Sequence, residues 1–487
     1  MMSLRMYSLA LVALLMFSAC ATNPVSKNQD FVLMSEKQEL ALGQRYAAEV
    51  AKQMPLMPAD DPLVKYVNKV GQRVAAVSDR PELFYHFNVV DDTTINAFAL
   101  PGGHIYIYRG LLTQMNSESE LAAVLGHEIG HVTARHAVQR YTQAQGYQLG
   151  MAVASIFLPI PQTVGQISNL LASAIIQGYG RKDELQSDEL SIKYIAKAGY
   201  DVHATTRLLK TLKRLEDIRI KEAKDTTGKA PEIYHGAFSS HPETKERIEE
   251  AVAKSSGQQS VLAEVGHNAM LAALDGYPYG DSPEQGAIVG QKFLHPKLGI
   301  QLEFPKNWVI KNTPQALTAR LRQKKAFFIL QLKELSKRRS GEDVLRELFR
   351  KRKLEALHTT RRGGFAVTQA IVNTSAKQVG QARVLATAAL KGSKAYILTS
   401  YSQRAKFEDY RADFEAIARS FRSYDVKRDG DVPRIHLYTW KQGNNWKSLA
   451  KTDHNILGRF TADKLAALNG MDLNESPKGG TIIKIVR

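Results

Sequence analysis

The chain has 487 residues, 44% of them hydrophobic, which predicts two to four globular domains and excludes a disordered or fibrous protein. Its formal net charge of +18 indicates anionic partners. Because the chain begins with an export signal, these partners are expected to be lipid head groups or envelope polymers, with no nucleic acid. The only cysteine is Cys20, so the fold must rest on packing and bound metal without internal disulfides.

The first twenty residues have the pattern of a secretory signal. Arg5 precedes an apolar run over residues 6–17, which is too short to predict a membrane span. The segment Phe17–Cys20 resembles a lipobox, in which the thiol is acylated and becomes the mature N-terminus. We therefore predict a lipoprotein signal peptide at 1–19 and a lipid anchor at Cys20; the alternative is an ordinary signal peptide with an incidental cysteine. By the same resemblance, Ala21 implies the outer membrane.

Helices and a small sheet are predicted in the first 140 residues. A capping box at Ser35 and Gln38 begins the first helix, and valines at helical spacing mark the second. Alternating apolar residues predict three strands, and the pair Asn116–Ser117 caps a long helix. The first helix is predicted to end near Gln53, the second to follow Asp60–Pro62, and the third to end near Arg140. The predicted strands are 85–90, 95–100 and 105–108. Residues 147–178 are rich in small and aliphatic side chains and form either a buried helix pair or a lid.

The second half of the sequence predicts two further modules. Strands interrupted by two helices indicate an α+β sandwich at 293–425, and its beginning, Gly299–Trp308, resembles the Mog/PsbP-like fold. We find no catalytic constellation there and expect a binding or structural role. The last segment, 432–487, has a strand–helix–helix–strand pattern and resembles a LysM domain, a resemblance that implies peptidoglycan as a partner.

The pentapeptide His127–His131 carries the clearest chemical signal. Its histidines are four residues apart and lie on one face of a helix, so both can bind one Zn²⁺ while Glu128 stands beside an open coordination position. The apolar residues before it indicate a buried helix, in which polar side chains need partners.

A catalytic zinc site needs a third protein ligand, and the sequence offers two. His136 lies nine residues after His127, about 180° around an ideal helix, and is expected to be structural. Glu184, with Asp188 one turn later, suits the role better. Asp188 is then placed to accept a hydrogen bond from the second nitrogen of a liganding histidine.

Four ordered motifs resemble the zinc metallopeptidase family of HtpX and the CAAX prenyl protease, in its periplasmic BepA-like branch. They are listed here in chain order: Asn96–Gly103, His127–His131, Glu184 with Asp188, and Ser240–Arg247. The resemblance implies a gluzincin fold, one Zn²⁺ per chain and endopeptidase activity on envelope proteins. The predicted fold class is α+β: a mainly helical metallopeptidase domain with a small sheet at 20–254, a linker at 255–292, and the two modules above.

Two more elements are assigned to the site. The strand of Asn96, Ala97, Phe98 and Ala99 is a candidate edge on which an extended substrate adds as a further strand. His241 either caps the helix that Pro242 begins or lies over the cleft, where it stabilises the oxyanion or blocks the metal.

The sequence thus predicts an endopeptidase, lipid-anchored in the periplasm, that cleaves unfolded or misassembled envelope proteins in quality control. In this mechanism Glu128 is the general base. The alternative is an envelope assembly scaffold or chaperone bound to peptidoglycan, with a mainly structural zinc. A purely structural site has no need of an acid beside an open position, so Glu128 separates the two hypotheses.

Overall fold

The computed structural model describes residues 20–22, 24–25, 29–31, 34–143, 179–227, 247, 249–250, 253, 265–313, 316–322, 325–336, 339–451 and 461–487. The chain divides into two compact units. The first unit comprises Met1–Tyr279 with Arg434–Arg487, and the second comprises Gly280–Pro433. The predicted signal peptide, the segment 147–178 and His241 lie outside the described residues. The mixed α+β class predicted from the sequence is confirmed.

Helices dominate the first unit. Ser35 forms the predicted capping box with Gln38, and Asp61 caps the next helix by accepting a hydrogen bond from Leu63 N. None of the helices in the described ranges is both long and apolar enough to cross a bilayer. Up to residue 279, the helices include α1 (Glu36–Gln53), α2 (Pro62–Ala75), α3 (Arg109–Leu112), α4 (Glu118–Thr133), α5 (Arg181–Lys197), α6 (Ala204–Thr227) and α7 (His267–Leu274).

Two small sheets belong to the same unit. Strands β1 (Cys20–Thr22) and β2 (Gln29–Phe31) pair antiparallel. The second sheet has the order β3-β5-β4, with β3 (His86–Val90) parallel and β4 (Ala97–Leu100) antiparallel to β5 (His104–Tyr108). Within the described sheet β4 is therefore an edge strand.

The core of the first unit lies between α2, this sheet and the pair α4 and α5. The apolar face of α2 is buried as its valine spacing predicts, and it packs with residues from α4 and β5. These burials remove the apolar side chains from water and fix α4 within the unit. Fully buried members of this core include Leu63, Val67, Val74, Ile105, Leu121, Leu125, Ile129 and Ile195.

The helix that carries the pentapeptide is shorter than predicted. It ends at Thr133, and Arg135 adopts a left-handed backbone conformation with φ of 58° before residues 136–143 become helical again. The Arg135 guanidinium donates to Glu39 Oε2 at 2.8 Å and to the Met34 carbonyl at 3.1 Å. These contacts hold a conformation that non-glycine residues rarely adopt. The prediction of one helix through Arg140 was therefore wrong.

The second unit is built around a large antiparallel sheet. Its seven strands have the order β12-β13-β14-β15-β11-β10-β9, and a smaller sheet has the order β16-β8-β7-β6. Their bounds are β6 (Ala287–Val289), β7 (Lys292–His295), β8 (Ile300–Glu303), β9 (Trp308–Asn312), β10 (Leu317–Leu321), β11 (Ala326–Glu334), β12 (Leu354–Arg362), β13 (Phe365–Ala376), β14 (Gly380–Lys391), β15 (Lys394–Gln403) and β16 (Arg422–Ser423).

Helices cover both faces of the large sheet. Helix α8 (Gly341–Leu348) buries Val344 and Leu345 in one apolar cluster, and α9 (Phe407–Ser420) buries Phe414 and Ile417 in another. A short helix, α10 (Val426–Asp429), follows. The sequence predicted α8 and α9 and the strands β8, β11, β13, β14 and β15, but it missed β6, β7, β9, β10, β12 and β16.

The C-terminal module packs into the first unit. It has the predicted order of strand, helix, helix and strand: β17 (Ile435–Thr439), α11 (Trp446–Lys451), α12 (Ala462–Leu468) and β18 (Ile482–Val486). Its assignment to the LysM family stays a prediction. Residues 267–274, which the sequence placed in a linker, form α7 and lie in the same unit.

A buried lysine joins this module to the beginning of α4. The Lys484 side chain is 0% exposed, and its ammonium donates to the carbonyls of Thr113 at 2.9 Å and Met115 at 2.7 Å. Burial lowers the pKa of Lys484 to about 7, although the nearby Glu120 carboxylate opposes the shift. His267 adds a second connection, because its two ring nitrogens lie 2.7 Å from the Asn116 carbonyl and 2.8 Å from the Ile482 carbonyl.

We expect Lys484→Met to destabilise the first unit by about 1–3 kcal/mol, because the buried carbonyls of Thr113 and Met115 lose their donor. Thermal unfolding of the full chain measures the change, and Lys478→Met, at an exposed position of the same module, is the control. Equal melting temperatures for the two variants would contradict the assigned role.

Candidate metal centre

The two histidines of the pentapeptide face each other on α4. Ser117 caps this helix by accepting a hydrogen bond from Glu120 N at 3.2 Å. The Nε2 atoms of His127 and His131 are 3.0 Å apart, and both side chains are buried. The four-residue spacing thus produces the predicted pair of imidazoles.

Glu184 reaches this pair from α5. The two helices approach closely because Gly126 and Gly130 face Ser191 and Ser187, and a Cβ atom at either glycine would lie within 3.2 Å of the opposite helix. Glu184 Oε2 lies 3.5 Å from His127 Nε2, and Oε1 lies 3.5 Å from His131 Nε2. The structure therefore brings together all three side chains predicted as ligands.

The spacing of these donor atoms fits a metal ion. One nitrogen or oxygen from each of the three residues lies within 4.8 Å of the others. Two ligands bonded at about 2.1 Å around a tetrahedral ion are about 3.4 Å apart, close to the separations of 3.0 and 3.5 Å in this site. The donor set of two imidazoles and one carboxylate suits a divalent metal.

Asp188 holds His127 in the orientation that ligation needs. Its Oδ1 lies 2.8 Å from His127 Nδ1, which leaves Nε2 facing Glu184. In the metal-free site, burial lowers the pKa of His127, but its hydrogen bonds to Asp188 and Glu184 outweigh burial and raise the pKa to about 9. Because a ligand histidine must be neutral, metal and proton compete for this ring.

Arg247 completes this arrangement, and the sequence analysis gave it no role. Its guanidinium donates twice to Asp188, from Nε at 2.7 Å and from Nη2 at 2.8 Å. Its Nη1 lies 3.4 Å from Glu184 Oε2. Burial raises the pKa of Asp188, but the charge of Arg247 and its hydrogen bonds outweigh burial and hold the pKa near about 2. In the sequence, the motif that ends at Arg247 was the one indication that this residue belongs to the site.

The charges of the buried side chains also favour a divalent cation. Glu128, Glu184 and Asp188 are buried carboxylates, and Arg247 is the basic residue that contacts two of them. Buried charges are normally paired or bound to metal. The negative charge of these carboxylates would attract a divalent ion.

His136 orients the second ligand, His131. Because the chain turns at Arg135, His136 folds back and its Nδ1 lies 2.9 Å from His131 Nδ1. On the other side, His136 Nε2 lies 3.0 Å from Gln186 Oε1 and donates to it. Burial lowers the pKa of His136, so the ring is neutral and its Nδ1 accepts from His131. The Nε2 lone pair of His131 is then available for the metal.

We expect His136→Phe to weaken metal binding about 10- to 100-fold, the usual effect of losing a residue that orients a ligand. Competition with a chelator of known affinity measures the dissociation constant, and circular dichroism checks the fold. His203→Phe, the same change at an exposed position, is the control. An unchanged metal affinity in His136→Phe would show that His136 contributes only to packing.

Glu128 lies on the wall of a cavity beside the donor set. The side chain is 1% exposed, and both Glu128 and His127 line a cavity that opens to solvent. The other walls are mostly apolar and come from α4, α6 and β4; they include Val124, Leu208, Leu209, Leu212 and Ala97. An apolar cavity with a few convergent polar groups is the usual form of a ligand site.

Of the remaining predicted residues, the structure describes those of the substrate strand and Cys20, but not His241. Asn96 precedes the edge strand β4, which contains Ala97, Phe98 and Ala99, and Ala97 also lines the cavity. Cys20 begins β1, but its acylation stays a prediction. For His241 both predicted roles stay predictions, because the residue lies outside the described ranges.

Comparison with known proteins gives the family of this domain. The profile of Peptidase family M48 matches residues 63–255, which contain α4, α5 and all the candidate ligands. These residues form an M48 peptidase domain. The resemblance predicted from the four motifs is thereby confirmed.

Several curated proteins are similar to part of this chain. Mitochondrial metalloendopeptidase OMA1 of Schizosaccharomyces pombe is 32% identical over 231 residues, which cover 46% of this chain and 63% of that protein. Beta-barrel assembly-enhancing protease of Yersinia pestis is 31% identical over 188 residues, covering 37% of this chain and 38% of that protein. The chain thus spans less than two thirds of either relative.

Among solved structures, a solution structure of cyanobacterial PsbP from Synechocystis is a structural neighbour of this chain. It covers 28% of this chain and 95% of that protein, with 14% identity and a TM-score of 0.23. The PsbP-like assignment of residues 293–425 stays a prediction.

Proposed function

We propose that this chain is a zinc endopeptidase of the bacterial cell envelope that cleaves unfolded or misassembled envelope proteins. The observation that carries the proposal is the position of Glu128, which shares a cavity wall with His127, a predicted ligand. A scaffold with a structural metal would not need a buried acid there. The match to a peptidase family, and the name of a relative as a metalloendopeptidase, support an enzymatic function.

His127, His131 and Glu184 would hold the zinc, which when bound acts as a Lewis acid towards water and the scissile carbonyl. Glu128 accepts the proton of the attacking water on its carboxylate and later delivers it to the leaving amine. Asp188, Arg247 and His136 keep the two imidazoles in the required tautomers. The lining of the cavity favours an apolar substrate side chain next to the scissile bond.

The edge strand β4 supports a substrate class. An extended peptide adds to such an edge through main-chain hydrogen bonds, which do not depend on side-chain identity. Folded proteins rarely offer a free extended segment, so this mode selects unfolded chains. The name of the Yersinia pestis relative, which refers to β-barrel assembly, supports envelope proteins as the physiological class.

We propose further that acylated Cys20 anchors the enzyme at the periplasmic face of the outer membrane. The lipobox-like segment supports this location. Peptidoglycan stays a proposed partner of the C-terminal module, on the LysM-like pattern of its sequence alone.

The test is cleavage of a permanently unfolded protein, such as reduced and alkylated casein, by the purified full chain. We expect chelation with 1,10-phenanthroline to abolish cleavage, because ligand geometry alone cannot activate the water. Adding back a stoichiometric amount of Zn²⁺ should restore it. A zinc-loaded chain that leaves the substrate intact, or cleavage that survives chelation, would contradict the proposal.

A further inference from the structure

The second unit carries most of the positive charge of the chain. Residues 280–433 contain 30 lysines and arginines and 15 aspartates and glutamates, so 15 of the 18 net charges lie there. Several of its acids are already paired: Glu347 contacts Lys333 and Arg339, and Glu355 contacts Arg383. The net positive charge of this unit therefore lies on its other lysines and arginines.

The strand register gathers much of this charge at one end of the seven-stranded sheet. The pairs Leu354↔Val372, Ala376↔Gly380, Ala382↔Gln403, Ala326↔Ser402 and Leu321↔Trp308 all lie at that end. The loops that precede β9 and β12, follow β15, and connect β10 to β11 and β13 to β14 consequently emerge together.

The described parts of these loops contain nine exposed basic residues, which we call the basic sheet end: Arg350–Lys353, Lys306, Arg322, Lys325, Lys377 and Arg404. The same parts of the loops contain no acidic residue. Two exposed acids in the first turn of α9, Glu408 and Asp409, contact Arg411 and Lys406. The basic sheet end is therefore a surface of one sign.

The loops of the basic sheet end form a row. Seven strands about 4.8 Å apart extend over about 29 Å, so the row is broad enough to contact several lipid head groups. Leu348, the last residue of α8, is 44% exposed next to the run Arg350–Lys353. An apolar side chain beside clustered lysine and arginine is typical of a surface that contacts lipid head groups and the upper acyl region.

Single-stranded nucleic acid fits this surface less well. Proteins that bind it place aromatic side chains under the bases. The large apolar side chains exposed on the described part of the second unit are Val309, Leu332, Leu348 and Val426, and none is aromatic. The phosphates of lipid head groups match the observed positive charges and do not need aromatic side chains.

We propose that the basic sheet end binds the phosphate head groups of an anionic membrane. The contact is independent of the peptidase site and of any acyl chain on Cys20. A basic surface adds electrostatic attraction to anionic lipids, in addition to any hydrophobic anchor on the chain. The second unit is thereby a membrane-binding module.

Sedimentation with liposomes tests this assignment. The full chain carries Cys20→Ser in every arm, so that acylation does not contribute, and the vesicles are phosphatidylcholine with or without phosphatidylglycerol. The test variant carries Arg350→Gln, Lys351→Asn, Arg352→Gln and Lys353→Gln; asparagine suits the positive φ of 63° at position 351. The control removes the same charge at the opposite end of the sheet, through Lys311→Gln, Arg361→Gln, Lys391→Gln and Lys394→Gln.

The parent chain is expected to bind only the vesicles with phosphatidylglycerol. Each lysine or arginine near an anionic surface contributes about fivefold, so the test variant should lose about 100-fold or more in binding while the control retains most of it. Equal losses in the two variants would show that net charge alone acts, and would overturn the assignment. So would undiminished binding of the test variant, or binding of the parent chain to duplex DNA or heparin but not to the vesicles.

Discussion

Glu128→Gln is expected to lower cleavage of an unfolded protein by about 10³-fold or more while zinc stays bound. Glutamine has the same size and shape as glutamate but cannot act as a general base. Proton transfer by a positioned side chain contributes about 10²- to 10⁴-fold to catalysis. The three donor atoms that face the metal position belong to His127, His131 and Glu184, so the substitution leaves the ligand set intact.

The measurement is the initial rate of casein cleavage together with zinc content by mass spectrometry. Glu82→Gln makes the same change at an exposed position and should cleave at the parental rate. A Glu128→Gln enzyme with full activity would remove the proposed general base. Loss of zinc together with activity would instead indicate that Glu128 has a structural role in the site.

The ligand set could be predicted from the sequence because local rules determine most of it. The spacing of His127 and His131 places two imidazoles on one helix face, and only a helix long enough to hold both was required. Glu184 is 53 residues further along the chain than His131. It could still be predicted as a ligand, because Asp188 follows it by one helical turn, where a carboxylate can orient a liganding histidine. In the structure these two carboxylates do lie at His127.

The role of His136 could not be predicted, because it depends on a break in the helix. On an ideal helix this residue points away from the metal, and the sequence analysis placed it there. The left-handed turn at Arg135 depends on Glu39, nearly a hundred residues earlier, and such long-range contacts leave no local pattern. Arg247 was missed for the same reason, because its two partners lie on a helix that is distant in sequence.

The packing of the C-terminal module was also beyond local prediction. The sequence of residues 432–487 predicted a separate LysM-like module, since its strand and helix pattern is complete in itself. Lys484 is a single charged residue among the apolar residues of β18, and the local sequence indicates no partner for it. In the structure its amino group is buried against the carbonyls before α4, a contact that only the tertiary arrangement creates.

Glu184→Ala is expected to weaken zinc binding by more than about 100-fold, because it removes a ligand itself, whereas loss of an orienting residue costs about 10- to 100-fold. Activity at limiting zinc should fall with it and recover in part at high zinc, which distinguishes this variant from Glu128→Gln. The apo chain should stay folded, because Arg247 retains both hydrogen bonds to Asp188. Chelator competition gives the affinity, and Glu189→Ala, exposed on the same helix, is the control. Parental zinc affinity in Glu184→Ala would move the third ligand to another residue and would leave the carboxylate as a partner of Arg247.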